Sequence, residues 1–463
     1  MEFSYNKWCS YLLCLGVSTS IQAGSFSLYT EGSVSAVQNF AAGVAAEGRD
    51  ASVGWYNPAA LILLKKPEFI GGAVGVNPVA RITGTSSLYQ YDPNDDTDPL
   101  LYGPYTESFQ NLNGGREAIV PNLHFALPVG DKVVYGLSIV APMGLASNWP
   151  EDSAVRYAST YSNLRVIDFA PEVGGLISEN FSVGLGIDFQ WANVNFDSVV
   201  GAPAILPILV PDVPVTEWDT VVRNHGNSFG MGFHAGYLFK WNDDRSRFGF
   251  NYLYGVTHDF KGSSQLQGIF ADKDFFNNQA FISVDGLYAD PVKFPDIMTW
   301  SLFQKVNDKL DVMASVVYSL WSSFQSITLH NIPIASIPDN DIILQNATAI
   351  QNYRNALRLA FGANYKITDK WELRGGTGWD QTPTNDIDRD TRLPDVNKYA
   401  VAIGAHWQPN DAWGFDVGYS YLWPLEDAVI NKTQVLDQRN WVVVNATGHA
   451  YAQLLALGVK WRI

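Results

Sequence analysis

The last third of the chain consists of segments in which bulky residues alternate with small or polar ones. In AWGFDVGYSYLW (412–423) aromatic and aliphatic residues occupy every second position from Trp413, and YAVAIGAHW (399–407) and YAQLLALGVKWRI (451–463) repeat the pattern. A period of two predicts half-buried β-strands. A soluble sandwich would bury its bulky residues and expose charge. Here the bulky face is aromatic at both ends, which indicates a membrane β-barrel with apolar residues toward lipid and small or polar residues inward.

The connections between these strands are of two kinds. Short polar turns are predicted at 130–132, 178–180, 242–246, 307–309, 368–370 and 409–411, and long segments that read as loops lie at 84–115, 199–226, 261–292 and 426–446. Short turns at one end and long loops at the other are typical of outer-membrane barrels. Six turns join twelve strands, and a first strand near Glu68 and a last one ending at Ile463 bring the number to fourteen. We therefore predict an all-β fold, a 14-stranded antiparallel transmembrane barrel over residues 67–463, with a soluble β-sandwich as the alternative.

Composition agrees with a surface in contact with lipid. Only 16 % of the residues are charged and 13 % are aromatic, against about 25 % charged in ordinary soluble domains. The net charge of −16 argues against a nucleic-acid partner. Tryptophans flank the predicted short turns and favour a periplasmic belt at head-group level: Trp241, Trp371, Trp407, Trp413 and Trp461.

The first 23 residues read as a secretory signal peptide. Lys7 precedes the apolar run WCSYLLCLGVSTSI, and the small residue Ala23 follows, which predicts cleavage next to it. A buried N-terminal helix is the alternative. Both cysteines, Cys9 and Cys14, lie in this segment, so a mature chain without it has neither disulfides nor thiol ligands. No other stretch is long and apolar enough for a membrane helix.

Residues 24–66 do not alternate. They are rich in Ala and Gly and contain short helical runs interrupted at Gly43, Gly48 and Pro58. A compact segment of this kind ahead of a barrel predicts a mostly helical plug inside it. A disordered leader is the alternative, although the apolar content is high for disorder.

Catalytic and metal-binding patterns are absent from the sequence. The seven histidines show no metal spacing, and no GxSxG, Walker or HExxH motif occurs. We expect no enzyme activity, no cofactor and no metal centre. The acidic run YDPNDDTDP (91–99) could hold a divalent cation between lipopolysaccharides, but it lacks a bidentate Glu at calcium-loop spacing, which favours a solvated charge cluster.

The run APAILPILVPDVPV (202–215) is apolar but contains four prolines, which exclude a helix or a central strand. It lies on the long-loop side. Its exposed apolar side chains predict a capture site for an apolar ligand, with packing against neighbouring loops as the alternative. The residues concerned are Ile205, Leu206, Ile208 and Leu209.

Two arginines are predicted to face the lumen. Leu357 and Leu359 face lipid, which turns Arg358 inward, and the same alternation turns Arg374 inward. Either arginine could bind a carboxylate head group. Pairing with inward acids such as Glu372 and Asp416 is the favoured alternative, since such ion pairs are ordinary inside barrels.

The segment DASVGWYNPAAL (50–61) resembles the hatch signature of the outer-membrane long-chain fatty-acid transporter family (FadL-type). Further resemblances run in order along the chain, at 121–128, 247–262, 294–324, 353–383 and 392–407. The resemblance implies a 14-stranded barrel closed by an N-terminal hatch. It also implies import of hydrophobic molecules, which land on the extracellular loops, move beside the hatch and leave sideways through the wall.

The resemblance also implies roles for particular residues. In the hatch these are Phe26, Leu28, Asn57, Pro58 and Ala59, and at a kink in the third strand (133–145) they are Met143, Gly144 and Leu145. Fatty-acid-binding members carry basic residues where this chain has Ser198 and Thr328. Import of neutral aromatic hydrocarbons is therefore an alternative to fatty-acid import.

A protein of another class stays open as well: a surface or adhesion protein anchored by its barrel. A water-filled porin is a weaker possibility, because porins lack an N-terminal plug. The expected partners are a hydrophobic ligand, outer-membrane lipid, lipopolysaccharide and the barrel-assembly machinery. We expect a monomer in the bacterial outer membrane.

Overall fold

The computed structural model describes residues 26–90, 102–203, 214–338, 341–436 and 440–463. Within these residues, fourteen antiparallel strands close into a barrel, as predicted. They are β1 Glu68–Gln90, β2 Ala118–Val129, β3 Val133–Val140, β4 Tyr161–Ser178, β5 Phe181–Val200, β6 Thr220–Trp241, β7 Ser246–Leu253, β8 Ile297–Lys305, β9 Leu310–Ser319, β10 Ala356–Lys366, β11 Trp371–Asp380, β12 Lys398–Trp407, β13 Trp413–Pro424 and β14 Asn440–Arg462.

Closure depends on the two longest strands. Each strand pairs with its successor, and β14 returns to β1 in unbroken register from Glu68↔Arg462 to Gln90↔Asn440. A closed ladder leaves no open edge, which is what strands need in a bilayer, where no water can satisfy backbone groups. No helix in the described part of the chain is long and apolar enough to cross a membrane.

The predicted short turns lie at one end of the barrel. β2 ends at Val129 and β3 begins at Val133, and β4 ends at Ser178 with β5 beginning at Phe181. The tryptophans predicted to flank these turns are exposed on the outer face, each between 39 and 46 %. They are Trp241, Trp371, Trp407, Trp413 and Trp461.

The prediction of long loops at the other end is wrong in large part, because much of this sequence forms strands that extend the wall. The strands added to the barrel sheet are Tyr102–Asn113, Gly144–Asn148, Lys261–Gln267, Phe281–Ala289, Ser326–Ile337, Asp341–Ile350 and Ala428–Val435. Thr257–His258 and Val292–Lys293 form a separate two-stranded sheet, and the 3₁₀ turns are Val215–Trp218, Ile269–Ala271 and Trp321–Ser323. A sheet above the bilayer has no lipid-facing side, so its strands lack the apolar alternation that identifies the others.

The hatch segment (residues 26–66) lies across the lumen. It contains helices α1 Val34–Asn39 and α2 Val53–Tyr56 and the 3₁₀ turns Thr30–Gly32 and Pro58–Leu63. Ser33 caps α1, with its Oγ 3.1 Å from the backbone N of Ala36. α1 packs against β11–β14, whereas Pro58–Leu63 packs against β3–β6 on the opposite wall. The segment is therefore held from two sides.

Glycines on the inner wall allow the hatch backbone to approach the strand backbone. A Cβ atom on Gly184 would lie 2.3 Å from the backbone N of Ala59, and one on Gly249 would lie 1.9 Å from the carbonyl oxygen of Ala45. Only glycine leaves room for these approaches. The barrel wall thus holds the hatch partly through backbone contact, at β5 and β7.

Asn57 joins two parts of the hatch to the wall. Its Nδ2 donates to the carbonyl oxygens of Ala45 at 2.7 Å and Tyr237 at 3.1 Å, and its Oδ1 accepts from the backbone N–H of Ala59 at 3.1 Å. The residue is fully buried. Both amide hydrogens are used, and Oδ1 caps the 3₁₀ turn that begins at Pro58.

Replacing Asn57 by Leu should loosen the hatch and leave the barrel folded. The change strands two buried carbonyl oxygens, at about 1–3 kcal/mol each. We expect more frequent ion-conducting openings in planar bilayers and faster proteolysis within the hatch. Asn77→Leu, on the exposed outer face of β1, is the matched control. Equal conductance of the Asn57 and Asn77 variants would contradict an anchoring role.

The closed barrel also predicts the behaviour of the purified protein on gels. Boiled and unboiled samples should migrate differently, because the hydrogen-bonded wall resists detergent at low temperature. Reducing agent should change nothing once the segment with Cys9 and Cys14 is removed. Identical migration before and after boiling would contradict a closed barrel.

Candidate functional site

The barrel wall is interrupted between β2 and β3. The two strands pair from Leu123↔Ile139 to Val129↔Val133, whereas the described part of β3 offers no partner to residues 118–122, which pair with β1 alone. Contact between the two sides resumes higher up, at Gly115↔Ser147. The result is a gap in the ladder between residues 118–122 and the chain after β3.

The chain on the other side of the gap is itself irregular. β3 ends at Val140, opposite Asp168 of β4, and pairing with β4 resumes at Gly144↔Arg165. On the β4 side, three residues, 141–143, therefore lie opposite two, Val166 and Ile167, which makes a bulge with one extra residue.

The predicted third strand, 133–145, is thus two strands, and the interruption begins earlier than the predicted kink at Gly144. Pro142 lies in the interruption, and proline cannot donate to a ladder. Gly144 and Leu145 belong to the strand that resumes, Gly144–Asn148, and Met143 precedes it.

The N-terminal segment (residues 26–28) covers this interruption from the lumen. Ser27 forms an antiparallel bridge with Met143. The backbone N–H of Leu28 donates to the carbonyl oxygen of Pro142 at 2.9 Å, and the N–H of Gly144 donates to the carbonyl oxygen of Phe26 at 2.8 Å. The hatch therefore supplies the ladder partners that the irregular strand lacks.

The side chains of the N-terminal segment enter two apolar clusters. Leu28 is fully buried in a cluster that includes Val120 of β2 and Ala141 of the bulge. Phe26 enters the aromatic box, formed by Phe294, Trp321, Phe324 and Tyr353, with ring-centroid distances of 5.9, 4.6, 5.3 and 6.4 Å respectively. Three of these contacts are edge-to-face, a favourable geometry for aromatic pairs.

The aromatic box was not predicted from the sequence. Its members come from chain segments at 294, 321–324 and 353, which only the closed barrel brings together. Phe26 was predicted as a hatch residue, and the structure places it at the centre of the box.

Below the bulge, toward the short turns, the inner wall carries a polar layer formed by Asp168, Glu172, Asp188 and His234, all buried. His234 Nδ1 lies 2.8 Å from Asp188 Oδ1, and His234 Nε2 lies 3.9 Å from Glu172 Oε1. The polar layer was not predicted from the sequence either. The alternation in β4 and β5 that turns these acids inward is the signal that could have identified it.

Arg358 lies beside the first residues of the hatch. Its guanidinium makes a two-point ion pair with Asp380, at 3.0 and 3.2 Å, and donates to Thr30 Oγ1 at 2.7 Å. Glu31 is buried nearby, and neither of its carboxylate oxygens has a hydrogen-bond partner among the described residues. Burial raises the pKa of Glu31 to about 7, and the positive charge of Arg358 opposes that rise.

Arg374 belongs to a second ion-pair group. Its guanidinium lies 2.9 Å from Glu372 Oε1 and 3.2 Å from Asp416 Oδ1, and it also donates to the hatch residue Gln38. Arg49 of the hatch pairs with the same Glu372. Both predicted lumenal arginines are thus paired with acids of the wall and donate hydrogen bonds to uncharged hatch side chains, whereas Arg49 makes the ion pair from the hatch to the wall.

Several predicted positions lie outside the described residues. The capture-loop residues Ile205, Leu206, Ile208 and Leu209, and the acidic run 91–99, are not among the residues that the structure describes. In the described part of the chain, no group of three or more His, Cys, Asp or Glu side chains is arranged to hold a metal ion.

Comparisons with known proteins agree with this geometry. The chain is 26 % identical over 416 residues to the long-chain fatty acid transport protein of Salmonella typhi, covering 88 % of this chain and 89 % of that protein. A Pseudomonas aeruginosa FadL homologue has the same fold, with a TM-score of 0.77 and 22 % identity over 94 % of this chain and 99 % of that one. The Ralstonia pickettii toluene transporter TbuX superposes with a TM-score of 0.62 and 17 % identity, over 94 and 99 % of the two chains.

The family comparison covers nearly the whole chain. Residues 14–463 match the model described as outer membrane protein transport protein (OMPP1/FadL/TodX). The fourteen-stranded barrel agrees with that placement, and the family consists of transport channels rather than enzymes. The chain therefore belongs to the outer membrane protein transport protein family (OMPP1/FadL/TodX), as a transport protein of the bacterial outer membrane.

Proposed function

We propose that this protein imports long-chain fatty acids or similar hydrophobic small molecules by lateral transfer. The ligand is captured on the extracellular loops, including residues 205–209, and passes beside the hatch into the region of the aromatic box. It then leaves through the gap between β2 and the bulge. Neutral aromatic hydrocarbons are the alternative cargo.

The pairing of the N-terminal segment with the bulge carries the proposal. Two backbone hydrogen bonds and the side chains of Phe26 and Leu28 close the gap from within. These contacts can be exchanged for contacts with an apolar ligand, because they are mostly apolar and involve no ion pair of residues 26–28 among the described residues. Displacement of this short segment would open the gap without unfolding the rest of the hatch.

The polar layer supports a sideways rather than a downward route. An apolar ligand beside Val140 would meet Asp168, its partner on β4 at the same height, and Glu172 closer to the short turns. An apolar molecule could not satisfy the buried oxygens of these acids that lack hydrogen-bond partners, so passage through the layer is costly. The exit toward lipid has no such barrier.

The cargo alternatives follow from two features of the interior. The aromatic box already holds a benzyl group, the side chain of Phe26, which supports an aromatic hydrocarbon as a candidate cargo. The similarity to long-chain fatty acid transport proteins supports fatty acids. The two lumenal arginines are engaged by Asp380, Glu372 and Asp416, so neither offers a free cation to a carboxylate.

Replacing Phe26 by Ala should lower the ligand concentration that gives half-maximal uptake. A buried phenylalanine contributes about 3–5 kcal/mol, so its loss weakens the closed arrangement with which the ligand competes. The measurement is uptake of labelled oleate and of labelled toluene against concentration, in cells that otherwise lack the protein. Phe69→Ala, on the outer face with 39 % exposure, is the control. An unchanged half-saturating concentration would contradict competition with Phe26.

Replacing Gly144 by Trp should lower uptake severalfold at every ligand concentration while surface capture persists. Gly144 is paired with the outward-facing Arg165, so a side chain there projects over the outer mouth of the gap. Gly175→Trp is the control, because Gly175 lies near the short-turn end of β4, away from the gap, and a side chain there meets open space. Normal uptake by the Gly144 variant would exclude the lateral route. Equal uptake with and without the wild-type protein would exclude the transporter itself, in favour of an anchored surface protein.

A further inference from the structure

Arg165 of β4 is a cation on the lipid-facing side of the wall, next to the gap. The alternation along β4 places it on the same face as Ile167 and Phe169, which are 46 and 38 % exposed, whereas Val166 and Asp168 are buried. Its ladder partner is Gly144, which has no side chain to screen it from the gap.

The height of Arg165 follows from the neighbouring strands. Ile167 is paired with Trp191 and Trp191 with Phe229, a row of apolar residues that are each about half exposed. The next outward row is Arg165, Asn193 and Asn227. The change from apolar to polar side chains between the two rows marks the outer edge of the hydrocarbon. An arginine on the lipid face costs about 0–1 kcal/mol at such an edge, against about 2–4 kcal/mol at the midplane.

Arg165 is only partly exposed, and its Nε is buried without a hydrogen-bond partner. No ion pair joins it to an acid in the described part of the chain. A second cation lies at the upper corner of the gap: the guanidinium of the exposed Arg116 lies 5.3 Å from the ring centroid of Tyr161. Glu117, also exposed, is the nearby negative charge, so the rim carries a net positive charge.

Resting on the proposed function, we propose that Arg165, with Arg116, binds the carboxylate of a fatty acid as the acid leaves through the gap. A departing amphiphile must keep its charged head at the edge of the membrane while its tail slides between lipid chains. A partly exposed guanidinium at that edge, with no acid partner among the described residues, can bind a carboxylate by charge-assisted hydrogen bonds. The carboxylate of the cargo thus binds to Arg165 outside the barrel, beside the gap.

The test compares an anionic cargo with a neutral one of the same chain length. Cells that make wild-type protein or Arg165→Gln are supplied with labelled oleate or labelled oleyl alcohol, and initial uptake rates are measured below saturation. Oleate uptake by the variant should fall about threefold to tenfold, the range for losing a partly exposed charged hydrogen bond. Oleyl alcohol uptake should not change, and Arg165→Lys should recover part of the oleate rate.

Two variants serve as controls for charge. Glu117→Gln alters the same rim by the same amount with the opposite sign, and should keep or raise oleate uptake. Arg81→Gln removes an exposed outward arginine of β1 that lies above the gap, and should change neither rate. The heat-dependent gel shift verifies that each variant has folded.

The outcomes separate this proposal from the one on which it rests. An equal loss of both cargoes in Arg165→Gln, or no loss of oleate, overturns the carboxylate site, and an equal loss points to contact with lipopolysaccharide instead. If wild-type cells take up neither cargo faster than cells without the protein, the proposed transport function itself fails.

Discussion

A strand that leaves its ladder inside a membrane must find other partners, because lipid offers none and each unsatisfied backbone group costs several kcal/mol. The bulge at residues 141–143 leaves backbone groups without partners in the ladder. The N-terminal segment forms hydrogen bonds with two of these groups, the carbonyl oxygen of Pro142 and the N–H of Gly144. The same two hydrogen bonds therefore complete the wall and close the gap. In the proposed mechanism, a ligand that displaces the segment must compensate for these hydrogen bonds, which would couple occupancy of the interior to opening of the wall.

The rest of the hatch is attached in a different way. Asn57 uses its whole amide, the wall glycines admit the hatch backbone, and Arg49 and Arg374 share Glu372 at the other side of the lumen. These polar and close-packed contacts are costly to break. Residues 26–28 have no comparable anchor in the described structure, since apart from two backbone hydrogen bonds their contacts are apolar. For the proposed lateral route, movement confined to the N-terminal segment would break fewer polar contacts than movement of the whole hatch.

The arginines in the lumen and the arginine on the outer face differ in whether an acid pairs with them. Arg358 and Arg374 lie in the lumen and are paired with acids, so neither is a free cation there. Arg165 lies on the outside, at the level where the apolar rows end, and has no acid partner among the described residues. If the proposed lateral route operates, an apolar interior and a cationic rim at the gap together fit an amphiphile better than a plain hydrocarbon.

The barrel itself was predictable because the alternation of residues within each membrane strand indicates which face contacts lipid. The period-two pattern from Trp413 to Trp423 is an example, and short polar turns such as 130–132 show where one such strand ends and the next begins. The strands above the bilayer, such as Tyr102–Asn113, were missed because a sheet without a lipid-facing side has no such pattern. Alternation identified Arg358 and Arg374 as inward, with Glu372 and Asp416 as inward acids. It did not identify Asp380 as the partner of Arg358, or the hatch residues that the two arginines contact.

The sequence by itself therefore determined the number of strands, their faces and the non-strand character of the hatch, all of which follow from local periodicity and composition. Only the tertiary structure decided where the wall opens, which segment covers the opening and which rings surround Phe26. Those features join residues that are far apart in the chain, such as Phe26 and Tyr353 or Ser27 and Met143. Their proximity is set by closure of the barrel around the hatch, which no local pattern in the chain encodes.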